Sequence, residues 1–264
     1  MNVKHRARAL LLIPVIAAVL CASWTVSASA TLVEPARFIL QIEPGQNDGG
    51  AITITNSSSK SARYLAIVQD WVHDVNGVLT PQPANSTSAS IANWVKFNPR
   101  EFTLPPNGRQ IVRFSISVPK NAPPGERRGV IFFSPTAQST GLSTRAQIGV
   151  VIYAAIEPVT RTFGVGLPKA TLNSARQAAI TIELAATGNA HCRLTGKFRL
   201  SALSGKLIEE GRITEKVILP GGKKTITVSG DKELTPGRYR LHLEIGSYGT
   251  TNVFRRDYEI ELQG

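Results

Sequence analysis

From Thr31 to the C-terminus the chain alternates apolar and polar residues with a period of two, and no stretch carries the i, i+3, i+4 apolar spacing of an amphipathic helix. That pattern restricts the chain to strands with one face inside and one in water. In GRQIVRFSISVP, Val112, Phe114, Ile116 and Val118 alternate with Arg113, Ser115 and Ser117. Similar runs lie at Phe38 to Ile42, Ile52 to Thr55, Tyr64 to Trp71, Trp94 to Phe97, Val130 to Phe133 and Ile148 to Tyr153. Turn residues separate them: Pro44-Gly45, Asp48-Gly49-Gly50, Asn76-Gly77, Pro105-Pro106-Asn107-Gly108 and Pro123-Pro124-Gly125.

The second half repeats the alternation. Ile180, Ile182 and Leu184 form one row, Tyr239, Leu241, Leu243 and Ile245 another, and Tyr258 to Leu262 a last strand. Between them stand Lys197 to Leu200, Lys206 to Ile208, Val217 to Leu219 and Thr225 to Val228, divided by Gly188-Asn189, Pro220-Gly221-Gly222 and Pro236-Gly237. Short strands at this density, twice over, predict an all-β chain of two immunoglobulin-like β-sandwich domains in tandem. The expected organisation is a signal peptide at 1–30, a first domain at 31–157 and a second at 158–264, with the break near Glu157-Pro158.

The leader assignment rests on Lys4, Arg6 and Arg8 ahead of an apolar run from Ala9 to Leu20 and on the small-x-small site Ala28-Ser29-Ala30. That run is shorter than the roughly 20 residues of a membrane helix, so an exported, periplasmic protein without an integral membrane segment is expected. Leu20 ahead of Cys21 does not suit a lipid-anchor signal. Cleavage lowers the formal charge of +12 by three and leaves Cys192 as the one thiol, so no internal disulfide is expected.

Two cysteines and four histidines leave little material for a metal centre, and no cofactor is expected. His191-Cys192 are neighbours on a predicted strand and point to opposite faces. His73, between Asp70 and Asp74, reads as part of a polar loop, with no nucleophile motif nearby. Gly164-Val165-Gly166 lacks the following helix of a phosphate cradle, and Trp71 and Trp94 read as core. The basic pairs Arg127-Arg128, Lys223-Lys224 and Arg255-Arg256 are scattered, which argues for solvated strand ends and against nucleic acid. Nothing in these motifs supports an enzyme.

The stretch FNPREFTLPPNGRQIVRFSISVPKNAPPGERRGVIFFSP resembles the middle of the N-terminal domain of PapD-like periplasmic chaperones, through Pro99, Phe102, Leu104, Gly108, Val112 and Arg113. AITITNSSSKSARYLAIVQDW resembles that family's second and third strands, with Asn56 ending one and Trp71 closing the other. The resemblance implies a chaperone of pilus or surface-fibre assembly. Its partner would be a small β-rich secreted subunit lacking one strand, with an outer-membrane assembly pore as a further partner. It also implies that AQIGVVIYAAI lends a strand through Ile148, Val150 and Ile152, although alternation alone favours that row facing the domain's own core.

The family's clamp for the client's terminal carboxylate pairs an early arginine with a lysine on this strand. Arg37 suits the first position; no lysine lies between Gln147 and Glu157, and Arg145 is the nearest cation. The competing reading is a non-enzymatic cell-envelope structural or adhesive module that binds an anionic polymer through the positive excess.

Overall fold

The structure is a computed structural model that describes residues 31–74, 77–135 and 147–263; the expected leader and Arg145 lie outside the described residues. Every regular element in it is a strand. The first ten are β1 (Thr31–Glu34), β2 (Arg37–Ile42), β3 (Asn47–Asn56), β4 (Ala62–His73), β5 (Leu79–Gln82), β6 (Val95–Asn98), β7 (Glu101–Leu104), β8 (Arg109–Ser117), β9 (Gly125–Pro135) and β10 (Ile148–Ile156). They form two facing sheets, β1-β3-β8-β6 and β2-β10-β9-β4-β5, with β7 also paired to β4. Pro35 divides the first stretch. β1 runs antiparallel to β3 in one sheet, and β2 crosses to the other and runs parallel to β10.

The remaining strands are β11 (Phe163–Val165), β12 (Lys169–Leu172), β13 (Gln177–Ala186), β14 (Cys192–Ala202), β15 (Leu207–Ile218), β16 (Lys223–Glu233), β17 (Gly237–Ser247) and β18 (Val253–Leu262). β13 is flanked by β11 and β12 on one side and β16 on the other, facing a second sheet in the order β15-β14-β17-β18.

Each sandwich closes on its own core. Ile52, Ile54, Val112, Ile116, Ile131 and Ile152 are among the buried residues of the first, and Ile180, Ile182, Leu184, Leu200, Leu241 and Leu243 of the second. β8 shows the cause, its burial alternating strictly as the sequence predicts. Asn56 is buried where β3 ends, and its amide nitrogen donates to the carbonyls of Lys60, Leu104 and Pro105, satisfying groups that water no longer reaches.

Several expectations need correction. Asp48-Gly49-Gly50 is strand and not turn: β3 runs through it, because a Cβ on Gly49 would stand 2.1 Å from the carbonyl oxygen of Phe114 on the paired strand, so glycine there serves close approach. β1, β5, β7, β11 and β12 were not expected. Each spans three or four residues, too few to show a period, and exists through its pairing with a longer neighbour. The separate strands predicted at Lys206 to Ile208 and Val217 to Leu219 belong to one strand, β15, which keeps its ladder to β14 through two register shifts. His73 is the last residue of β4, opposite Leu79, and not part of a loop.

Candidate functional site

β10 is apolar from Val150 to Ile156 because both of its faces are covered. Its inner row, Val150, Ile152, Ala154 and Ile156, is fully buried in the first core, and Ile148 packs against that core partly buried. The row singled out in the sequence therefore faces inward. Along the strand β9 pairs one side from Ile148 to Ile156, but β2 pairs the other only from Val151, opposite Arg37, to Ile156. The Val151 amide donates to the Ala36 carbonyl, so by strand alternation the Gly149 main-chain groups point to the same side, beyond the end of β2. Among the described residues, Ile148–Val150 is thus a short open edge.

The outer row of β10 meets the second sandwich. Tyr153 stands edge-on to Trp71 at 5.6 Å and lies over the His191 ring at 4.1 Å, with Val130, Phe132 and, from the second sandwich, Leu219 around it. Trp71 is buried as expected, but in this junction and outside the first core. Glu126 of β9 accepts from the His191 main-chain amide at 3.1 Å and bonds its Nδ1; both side chains are buried. The Glu126 amide in turn donates to Asn189, whose side chain accepts from Thr160 and donates to Pro158, so the connection between sandwiches is tied at several points. Arg128 lies 5.4 Å over Trp71, and burial holds its guanidinium below its ordinary value.

Burial, and then the Glu126 carboxylate, push the Tyr153 hydroxyl up to about 12, against the opposing pull of Arg37, Arg128 and Arg193. A raised folded value means that the contribution is whole below the unfolded tyrosine value near 10 and is lost as pH rises through about 12. Relative to Tyr153→Phe, the native protein should lose about 2 to 3 kcal/mol of unfolding free energy across that window. Urea titrations of both proteins at several alkaline pH values measure it; parallel pH curves would refute it.

Arg37 is exposed at the start of β2, on the face it shares with Ile39 and Gln41, and its charge reaches the Tyr153 hydroxyl. Below it opens a cleft of about 220 Å³ between the sandwiches, lined by Ile39, Gln41, Arg161, His191, Arg193 and Tyr248. The Arg193 guanidinium lies 4.9 Å over the Tyr248 ring and is held by Glu215 at 2.7 Å. Arg161 and Arg193 were not singled out from the sequence: they are far from Arg37 along the chain, and only packing of the sandwiches gathers them.

The other singled-out residues separate. Cys192 enters the second core, where burial raises its thiol, while His191 turns to Glu126. Burial, then Lys224 and Arg128, hold the His73 imidazole below its ordinary value. Gly164 lies in β11, and Trp94 is partly buried against the first core under Arg127. Among the described residues, no group of three or more His, Cys, Asp and Glu is placed to hold a metal, and no helix is long and apolar enough to cross a membrane.

No protein-family model matches the chain, and no curated protein matches its sequence. Solved structures match its fold. The class 5 fimbriae chaperone CfaA superposes with a TM-score of 0.51 at 10% identity, over 86% of this chain and 98% of that one. A chaperone–tip adhesin complex of CFA/I fimbriae biogenesis superposes at 0.49, with 10% identity over 88% and 99% of the two chains. The CsuC–CsuE pre-assembly complex of Csu pili from Acinetobacter baumannii does so at 0.45, with 11% identity over 89% and 100%. The chain is an all-β protein of two immunoglobulin-like sandwiches. Its fold is that of the PapD-like fimbrial chaperones.

Proposed function

We propose that this protein is a periplasmic chaperone of surface-fibre assembly that holds a small β-rich subunit by strand pairing along the start of β10. The observation that supports this most directly is the open edge at Ile148–Val150, where, among the described residues, the strand is paired on one side alone and β2 stops short. A subunit missing a strand exposes an apolar groove and unpaired main chain, and a rigid, already ordered edge satisfies both at little further entropic cost.

In this reading the three residues divide the work. Ile148, half in and half out of the core, offers its side chain to the client, while Val150 and Ile152 lock the strand from within. Arg37, exposed beside the interdomain cleft, receives the client's terminal carboxylate. An outer-membrane assembly pore is the next partner in this scheme.

The test uses Gln147, exposed immediately before the edge. Gln147→Pro removes a main-chain donor there without placing anything in the core, and at about 1 kcal/mol per lost bond it should weaken subunit binding about fivefold. Titration with the subunit recovered by periplasmic co-purification measures this. A variant that binds equally well, or a periplasm that yields no small β-rich protein, would overturn the proposal. Salt-sensitive retention on cell-wall polymer would instead favour the envelope-module reading.

A further inference from the structure

The second sandwich has two unlike flanks. On one, β12 and β18 are stitched by the Leu172 amide donating to the Gln263 carbonyl at 3.1 Å. On the other, β15 and β16 are the margins of their sheets, each paired on one side only, to β14 and β13. Among the described residues, hydrogen bonds cross this flank near its two ends. Glu209 accepts from the amides of Asp231 and Lys232 at 3.0 and 3.3 Å, and Lys224 Nζ donates to the Val217 carbonyl at 3.3 Å. Between those stitches lies a groove of about 780 Å³.

Its floor is the side wall of the core, formed by Phe198, Ile213, Ile226 and Val228. Its walls are the unpaired main-chain edges of β15 and β16, and Arg212, Lys216, Lys223 and Lys224 stand among its lining residues. Among the described residues, Glu183 lies 2.9 Å from Lys223 and the charge of Asp74 acts on Lys224. Among the described residues, Arg212 and Lys216 make no ion pair. Burial first, and then Lys216, hold the Lys224 ammonium below its ordinary value, against the opposing pull of Asp74.

We propose that this groove binds an extended segment of a partner protein in which acidic side chains alternate with apolar ones. The period of a strand fits the site: one row covers the apolar floor, the other presents carboxylates to Arg212 and Lys216, and the main chain pairs with an open margin. An anionic polymer answers the charge but leaves the main-chain donors and acceptors unpaired. A second copy of this chain is disfavoured by the net positive charge that both copies carry. The groove shares no residue with the β10 edge, so this inference stands or falls separately from the chaperone reading.

The probes are capped ten-residue peptides added to the protein: five Glu-Val repeats, five Lys-Val repeats, and five Glu followed by five Val, with poly-L-glutamate as the charge-only control. The Glu-Val repeat should bind and slow amide hydrogen exchange within Arg212–Lys216 or Lys223–Ser229, and the other three should bind at least about tenfold more weakly. Arg212→Glu combined with Lys216→Glu should reverse the preference toward the Lys-Val repeat. Protection confined to other strands, or poly-L-glutamate binding as tightly as the alternating peptide, would overturn the proposal. The exchange footprint on the unmutated protein decides it even where the double variant fails to fold.

Discussion

Val150→Asp should unfold the first sandwich. Val150 is fully buried on β10 among the apolar residues of the first core, where a carboxylate would lose its water and meet no counter-charge. Such a burial costs about 5 kcal/mol or more, comparable to the whole stability of a typical domain at about 5 to 15 kcal/mol. The near-ultraviolet circular dichroism of Trp71 and Trp94 should collapse, and a urea titration should keep only the transition of the second sandwich, which has its own core. A variant that unfolds together with the native protein would mean that the inner row of β10 is not packed. The burial also removes Val150 as a clean probe of client binding, since loss of binding would follow from loss of fold; Gln147, outside the core, avoids that ambiguity.

Glu126→Ala should be the second most damaging change, although it touches neither core. Glu126 lies in β9 and His191 just ahead of β14, and the carboxylate serves both the His191 amide and its imidazole, away from water. Removing one member of a buried polar pair leaves the other unsatisfied, at a cost of about 3 to 5 kcal/mol. The loss falls on the junction, so the two sandwiches should unfold in separate steps where the native protein unfolds in one. Fluorescence of Trp71, which lies in the junction, should report the earlier step. A single transition with an unchanged midpoint would contradict this account. Replacing both partners, Glu126→Leu with His191→Leu, should recover part of the loss, because no orphaned polar group then remains.

Much of the fold is legible in the amino acids themselves. Fourteen expected runs fall inside thirteen observed strands or overlap them closely, because each carries its own alternation, and β8 displays it without exception. The short strands were illegible for the converse reason. β11, Phe163–Val165, has no periodicity to detect and is ordered by β13. The glycines at 49 and 50 misled because glycine marks both turns and close backbone approach, and only the neighbouring strand tells which.

The candidate site was half legible. Ile148, Val150 and Ile152 stand out as a row in the sequence, yet alternation says only that they share a face. Whether that face meets solvent or core depends on what lies across the sandwich, and β3 and β8 supply that wall. Arg37 was visible as an early cation, but its placement opposite Val151 depends on β2 leaving β1's sheet and running parallel to β10. The Glu126–His191 bond, spanning 65 residues, leaves no local trace.

By itself the amino-acid order determined that this chain is all strand, which side of each long strand is apolar, and that two sandwiches follow one another. Those properties arise from neighbours one or two positions away along a single extended segment. Tertiary structure alone decided which strands lie side by side, how far β2 covers β10, and which flank of the second sandwich stays open. These are choices among distant partners, settled by the packing of both sheets at once, and a period of two reads the same whichever partner is chosen.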